Sequence, residues 1–196
     1  KSFFEDSDLI KIGVGRAGNV IGGGDWARDR IVVDCIKSWS KNKPVEIRSP
    51  AATRPWQHVL EPLSGYLTLA HNIFEEKNFQ GNAYNFGPKS EQNRTVLGLL
   101  EDMSIIWGFD DSSQAFTITD NITFYESGLL KLNCDKALME LQWESNLNYA
   151  ETVKFVGDWY KKYFERDNDL YLLTEEQINY YETLAKERKR VWINEG

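Results

Sequence analysis

A chain of 196 residues is the size of one domain, or of one domain with an appendage. With 23 Lys+Arg against 30 Asp+Glu the net charge is −7, which argues against bulk nucleic-acid binding but leaves room for a local basic pocket that takes a small phosphorylated ligand. Apolar residues make up 41% and aromatics 13%, enough for a core, so global disorder is excluded.

No apolar run approaches the roughly 18 residues of a membrane span, and nothing near Lys1 has the order of a signal peptide. The two cysteines, Cys35 and Cys134, stand alone, so neither a zinc cluster nor a disulfide scaffold is expected, and a reducing cytoplasm suits them. Without a secretory signal, Asn93-Arg94-Thr95 and Asn121-Ile122-Thr123 read as chance matches to the glycosylation pattern.

In chain order, Lys1–Asp8 is a polar lead-in and reads as a cut edge rather than a start. Leu9–Val14 predicts a strand, followed by a glycine-rich loop from Gly15 to Trp26. Ile31, Val32, Cys35, Ile36 and Trp39 recur at helical spacing, predicting a helix over Asp29–Ser40. Lys43-Pro44 ends it before a short strand, Val45–Ile47, and a Pro-punctuated loop over Ser49–Trp56. Glu61-Pro62 opens a helix whose apolar stripe is Leu63, Tyr66, Leu67, Ala70, Ile73 and Phe74.

A turn at Asn78–Gly81 precedes a buried strand, Ala83–Phe86, and Thr95–Trp107 is helical. Ala115–Thr119 and Leu129–Leu132 read as strands, and Asn133 as the cap of a short helix ending at Leu141. Asn148–Glu165 is a longer helix with Tyr149, Val153, Val156, Tyr160, Tyr163 and Phe164 inward. Thr174-Glu175-Glu176-Gln177 reads as a capping box opening the last helix, with Ile178, Tyr181, Leu184, Ala185 and Trp192 on its apolar side. Alternating strands and helices predict an α/β fold, yet the few short strands do not make a complete doubly wound sheet.

Gly13-Val14-Gly15-Arg16-Ala17-Gly18 matches the GxGxxG pattern of dinucleotide-binding turns. That function needs a helix to begin inside the motif, so that its N-terminal amides face a pyrophosphate. Here the continuation is Asn19-Val20-Ile21-Gly22-Gly23-Gly24, which starts no helix. The acidic residue at the expected distance, Asp34, falls inside a helical stripe. The alternative is a strand ending in a loop whose glycines let the backbone come close to something.

Two long blocks are more telling: Arg16-Ala17-Gly18-Asn19-Val20-Ile21-Gly22-Gly23-Gly24-Asp25-Trp26 and Arg54-Pro55-Trp56-Gln57-His58-Val59-Leu60-Glu61-Pro62. With Tyr84-Asn85-Phe86-Gly87-Pro88, Leu130-Lys131-Leu132 and Trp159-Tyr160, they resemble the CDP-glucose 4,6-dehydratases of the extended short-chain dehydrogenase/reductase family. The resemblance implies the C-terminal nucleotide-sugar-binding portion of such an enzyme, containing a late Rossmann strand and helices, with the N-terminal Rossmann half absent. It covers most of residues 10–165; residues 1–165 are expected to form the substrate-binding part, with 166–196 as a helical extension.

The implied reaction is an internal redox elimination. NAD takes hydride from C4, the C5 proton is acidified, water leaves from C6 and hydride returns to C6, giving CDP-4-keto-6-deoxyglucose for deoxysugars of surface polysaccharides. NAD belongs to the half not seen here. The family's catalytic pair is spaced Tyr-x-x-x-Lys, so that the ammonium lowers the phenol pKa from the same helix face. None of the nine tyrosines, at 66, 84, 125, 149, 160, 163, 171, 180 and 181, has Lys four positions later. No catalytic group is therefore expected in this chain, and the implied partner is CDP-glucose or a related nucleotide-sugar held by a parent that is commonly a homo-oligomer.

Each candidate site residue has a plainer alternative. Asn19 matches an asparagine that donates to a sugar hydroxyl or phosphate oxygen; the alternative is a turn residue bonding its own backbone. Arg54 matches a pyrophosphate contact, where a guanidinium makes a bidentate fork; the alternative is a surface ion pair. Backbone groups of Glu46, Ile47 and Arg48 match a strand that passes beside the base, and the Arg48 side chain is either a ligand contact or an edge-strand arginine.

Asp25 and Trp26 close the glycine loop, with the indole lining the sugar pocket or joining the core. Arg30 and Ile31 match the segment over the nucleotide, although Val33 stands where relatives usually have proline. Asn93 approaches the nucleotide or caps the helix after it. Tyr125 stands where histidine is expected before Glu126, and stacking on a base is its remaining role. His58 reads as structural, and Arg16 as pairing with an acid. Two other functions stay open: a stand-alone nucleotide-sugar-binding module, and a related epimerase or dehydratase for another nucleotide-sugar.

Overall fold

The computed structural model describes residues 10–75, 77–119, 130–165 and 169–193. Its elements in chain order are β1 (Val14–Ala17), β2 (Val20–Ile21), α1 (Ile31–Trp39), β3 (Val45–Ile47), β4 (Thr53–Arg54), β5 (Gln57–His58), α2 (Leu60–Glu75), β6 (Ala83–Phe86), β7 (Arg94–Thr95), α3 (Val96–Trp107), β8 (Phe116–Ile118), α4 (Asp135–Leu141), α5 (Tyr149–Phe164) and α6 (Leu170–Glu187). The fold is mixed α/β, as the alternation of elements predicts. Among the described residues no helix is long and apolar enough to cross a membrane.

The strands pair two by two. β1 runs parallel to β6 with Val14 opposite Ala83 and Ala17 opposite Phe86, β2 parallel to β5, and β3 parallel to β8, while β4 and β7 are antiparallel. Parallel pairs are normally covered on both faces. Here Val14 on β1 is exposed, as are Leu63, Tyr66, Leu67 and Phe74 on the neighbouring helix α2.

Three apolar clusters hold the elements together. One joins α1, β3, α3 and α5 through Ile36, Trp39, Ile47, Leu99, Leu100, Met103 and Val156. A second joins α2, β6 and α4 through Leu69, Ile73, Tyr84, Phe86, Leu141 and Trp143. The third, with Leu147, Phe155, Tyr181 and Leu184, docks α6 on α5. Polar groups reinforce that dock. The buried Glu61 carboxylate at the start of α2 accepts from the backbone N–H of Asn146 at 3.0 and 2.9 Å, from Leu147 N–H at 2.5 Å and from the Tyr181 hydroxyl at 3.2 Å. Burial pushes its pKa up to about 7.

Several boundaries differ from the sequence reading. The strand expected over Leu9–Val14 begins instead at Val14, where the register with β6 starts; residue 9 lies outside the described residues. The first helix starts at Ile31 because Asp29, at φ 60°, is in the left-handed region. Residues 130–132 have no regular structure, and Leu130 N–H donates to the Thr53 carbonyl; residue 129 lies outside the described set.

Two caps move. Cys134 rather than Asn133 stands at the N-cap of α4, and the Asn133 carbonyl Oδ1 instead accepts from Asp135 N–H in a local turn. Thr174 lies inside α6, donating to the Leu170 carbonyl, because Asp169 caps the helix one turn earlier by accepting from Leu172 N–H. The capping box belongs to α5, where Asn148 and Glu151 make it.

The α2 stripe is also turned. The helix buries Glu61, Ser64, Gly65, Leu69 and Ile73, and leaves most of the predicted stripe outward. Gly65 decides this: a Cβ there would stand 2.3 Å from the Phe86 ring, so only glycine lets this face sit down on β6. On α5, Tyr163 and Phe164 are half-exposed rather than inward, and on α6 Ile178 is exposed.

Candidate functional site

A cavity of about 1190 Å³ opens among the ends of β1 and β2, the start of α1, β3 and β4. This exceeds the few hundred to ~1,000 Å³ of ordinary small-molecule pockets and suits an extended ligand. Four guanidinium residues line it, Arg16, Arg30, Arg48 and Arg54, together with Asp25, Asp29, Asp34 and Glu46. The four arginines face four carboxylates, so the wall carries guanidinium donors without a net positive charge.

The local backbone explains how these residues converge. β1 delivers Arg16 to the cavity, and its guanidinium donates to the Asn85 amide oxygen at 3.4 Å, an amide partner instead of the expected acid. Gly18 then threads a gap in which a Cβ would meet Pro55 at 2.9 Å and Leu132 at 3.0 Å. Asn19 follows, its carbonyl accepting from Gln57 N–H at 3.0 Å, so the turn between β1 and β2 is pinned where Asn19 lines the cavity.

Beyond β2 the glycines lead to Asp25, whose Oδ1 accepts from Ala27 N–H at 2.9 Å, closing the loop on itself. Arg30 and Ile31 bring the first turn of α1 to the cavity edge. Arg54 on β4 is buried, and its guanidinium donates to the Thr53 carbonyl at 2.9 Å, which fixes it before any ligand arrives.

β3 contributes backbone. Val45 N–H and the Ile47 carbonyl pair toward the β8 side, with Ala115 and Thr119. In a parallel ladder alternate residues point their polar groups to opposite edges, so the N–H and C=O of Glu46 face away from β8. Glu46, Ile47 and Arg48 all line the cavity.

Of the predicted residues, Asn19, Asp25, Arg30, Ile31, Glu46, Ile47, Arg48 and Arg54 are thus brought together around one space. Trp26 and Asn93 are not among the lining residues. The Trp26 indole packs with Tyr160, Tyr163 and Phe164, its ring centre 4.7 Å from that of Tyr163. Asn93 donates to the Leu130 carbonyl at 3.4 Å, and the helix after it is capped by Thr95, which accepts from Gly98 N–H. Tyr125 lies outside the described residues. His58 is buried, its Nδ1 accepts from Leu60 N–H, and burial lowers its pKa to about 4, consistent with a structural role.

Sequence reasoning missed Asp29 and Tyr160 as wall residues. Tyr160 belongs to the α5 core stripe by spacing and signals nothing else. Its hydroxyl donates to the Asp25 carbonyl at 2.7 Å, and burial and the nearby Asp25 charge push its pKa up to about 12. It is a proton donor to a carbonyl, held neutral, and not a base.

The GxGxxG stretch does not form a dinucleotide-binding turn. It runs along β1 instead of turning into a helix, and Gly15 faces the Tyr66 ring, where a Cβ would stand 2.5 Å away. Asp34 lies within α1. Among the described residues no cluster of His, Cys, Asp or Glu could hold a metal ion.

Solved structures share this fold. A UDP-glucuronic acid 4-epimerase from Bacillus cereus, in complex with UDP-glucuronic acid and NAD, superposes with a TM-score of 0.66 over 79% of this chain and 46% of its own, at 19% identity. A dTDP-glucose 4,6-dehydratase from Bacillus anthracis, in complex with NAD, gives 0.63 over 79% and 46%, at 17% identity. The chain shares the fold of these nucleotide-sugar enzymes over the portion it spans. In sequence, the chain is 40% identical over 184 residues to the CDP-glucose 4,6-dehydratase of Salmonella typhimurium, covering 92% of this chain and 50% of that protein. The chain thus spans about half the length of the curated relative it matches. No family model matches it.

Proposed function

We propose that this chain is the nucleotide-sugar clamp of a CDP-glucose 4,6-dehydratase, a hydro-lyase that converts CDP-glucose to CDP-4-keto-6-deoxyglucose and water. One observation carries the reading: the two sequence blocks that resemble this enzyme supply Asn19 and Arg54 to the same cavity, with Arg30 and Arg48 around it. On this reading Arg54 and Asn19 hold the diphosphate, and guanidinium forks match phosphate oxygens better than point charges do. The outward N–H and C=O of Glu46 suit the edge of a pyrimidine. On the same reading residues 1–165 belong to the substrate-binding part, and 166–196 to a helical extension.

The exposed α2 face beside β1 is read as the surface that receives the remaining half of the longer fold. It has two supports: Val14 on β1 is exposed beside that face although parallel pairs are normally covered on both sides, and the curated relative is about twice as long. The NAD and the Tyr-x-x-x-Lys pair would come with that half, and this chain alone would not turn over. The product would feed deoxysugar assembly, a cytoplasmic step before polysaccharide export.

Calorimetric titration of the chain with CDP-glucose tests the proposal. Saturable binding with one site is expected, and absence of binding overturns it.

A further inference from the structure

The glycine wall of the cavity is gripped from behind by α5. A Cβ built on Gly23 would stand 2.1 Å from Cδ2 and 2.2 Å from Cγ of the Trp159 indole, so only hydrogen fits between loop and ring. Gly23 is not in a left-handed conformation; its neighbour Gly24 is, at φ +79°. Glycine at 23 is therefore demanded by close approach and not by the backbone. The next residue on α5, Tyr160, donates its hydroxyl to the Asp25 carbonyl at 2.7 Å. Two consecutive residues hold the loop, one by ring contact and one by hydrogen bond.

The Trp159 ring is itself fixed from two sides. It stacks on Tyr163 with centres 5.9 Å apart and planes 13° from parallel. Its Nε1–H donates to Thr174 Oγ1 at 3.1 Å, and Thr174 belongs to α6. Thr174 in turn donates to the Leu170 carbonyl at 2.7 Å. A continuous set of contacts therefore runs from α6 through the indole to the loop that walls the cavity.

We infer that Trp159 and Tyr160 are positioning residues for the glycine wall, and that α6 sets the wall's place through Thr174, making the C-terminal helix part of the binding apparatus. This rests on the cavity being the nucleotide-sugar site proposed above.

The test uses the whole chain and two readouts, one without ligand. The Gly23 Hα that stands in place of a Cβ points at the indole, so ring current should carry its resonance far upfield of ordinary glycine. Thr174→Val keeps the shape of Thr174 and removes its acceptor. It should move the Gly23 Hα and the Gly24 and Asp25 amide resonances while those of β3 stay in place. It should also weaken CDP-glucose binding about threefold or more, in the range of substitutions along a coupling chain, with an unchanged thermal midpoint. Gly23→Ala should weaken binding more, and less so when combined with Trp159→Leu.

An ordinary Gly23 Hα shift in the wild type overturns the inference. So does a Thr174→Val protein with unmoved loop resonances, or one with unchanged affinity where the wild type binds. If the wild type binds no CDP-glucose yet Thr174→Val moves the loop, the site reading falls and the positioning by α6 stands.

Discussion

Replacing Arg54 with alanine is the sharpest probe of the cavity. Arg54 is 8% exposed, sits on β4, and has its guanidinium oriented by the Thr53 carbonyl at 2.9 Å. Little side-chain entropy remains to be lost when a diphosphate binds, so most of the charge-assisted hydrogen bonding should register as affinity. Such bonds contribute about 1.5–3 kcal/mol, which corresponds to a roughly ten- to hundredfold rise in the Kd for CDP-glucose. Arg54→Lys keeps the charge and loses the planar fork, so it should recover only part of the loss. Isothermal titration of the three proteins at one ionic strength measures this, with circular dichroism to check that each is folded. A folded Arg54→Ala protein with wild-type affinity would refute the phosphate role.

Three further outcomes are expected. CDP-glucose should raise the thermal midpoint more than UDP-glucose at equal concentration; ligand at a hundred times its Kd adds about 2.7 kcal/mol, and equal shifts would remove the cytidine assignment. Burial lifts the Glu61 pKa to about 7, above its unfolded value, so its stabilising contribution is complete below about pH 4.5 and is lost as pH rises toward 7, by about 3 kcal/mol at most. Glu61→Gln should be less stable than wild type in urea at pH 5, with a smaller gap at pH 8; a gap that does not change with pH would contradict this. Leu67 and Phe74 are 72% and 70% exposed, so the pair Leu67→Glu and Phe74→Glu should alter stability by no more than about 0.5 kcal/mol while lowering self-association in light scattering. A large loss of stability would show that this face is already packed.

Local sequence determined much of this protein. Helical spacing of Ile31, Val32, Cys35, Ile36 and Trp39 announced α1, because an amphipathic stripe is a property of the helix itself. The continuation of Gly13–Gly18 without a helix start ruled out a dinucleotide turn, and the structure runs β1 through it. Asn19 and Arg54 were legible because the blocks around them resemble a known enzyme, not because of their chemistry alone.

Only the tertiary structure decided the rest. The buried face of α2 follows from Gly65 against the Phe86 ring, a contact between residues 21 positions apart that no periodicity encodes. The start of α6 followed the Asp169 cap over an equally plausible signal at Thr174. Arg16, Asp29 and Tyr160 reached the cavity wall because β1, the loop before α1 and α5 converge there. Periodicity and capping act over a few residues and can be read in line. The meeting of distant segments depends on which surfaces fit, and the chain order does not contain that choice explicitly.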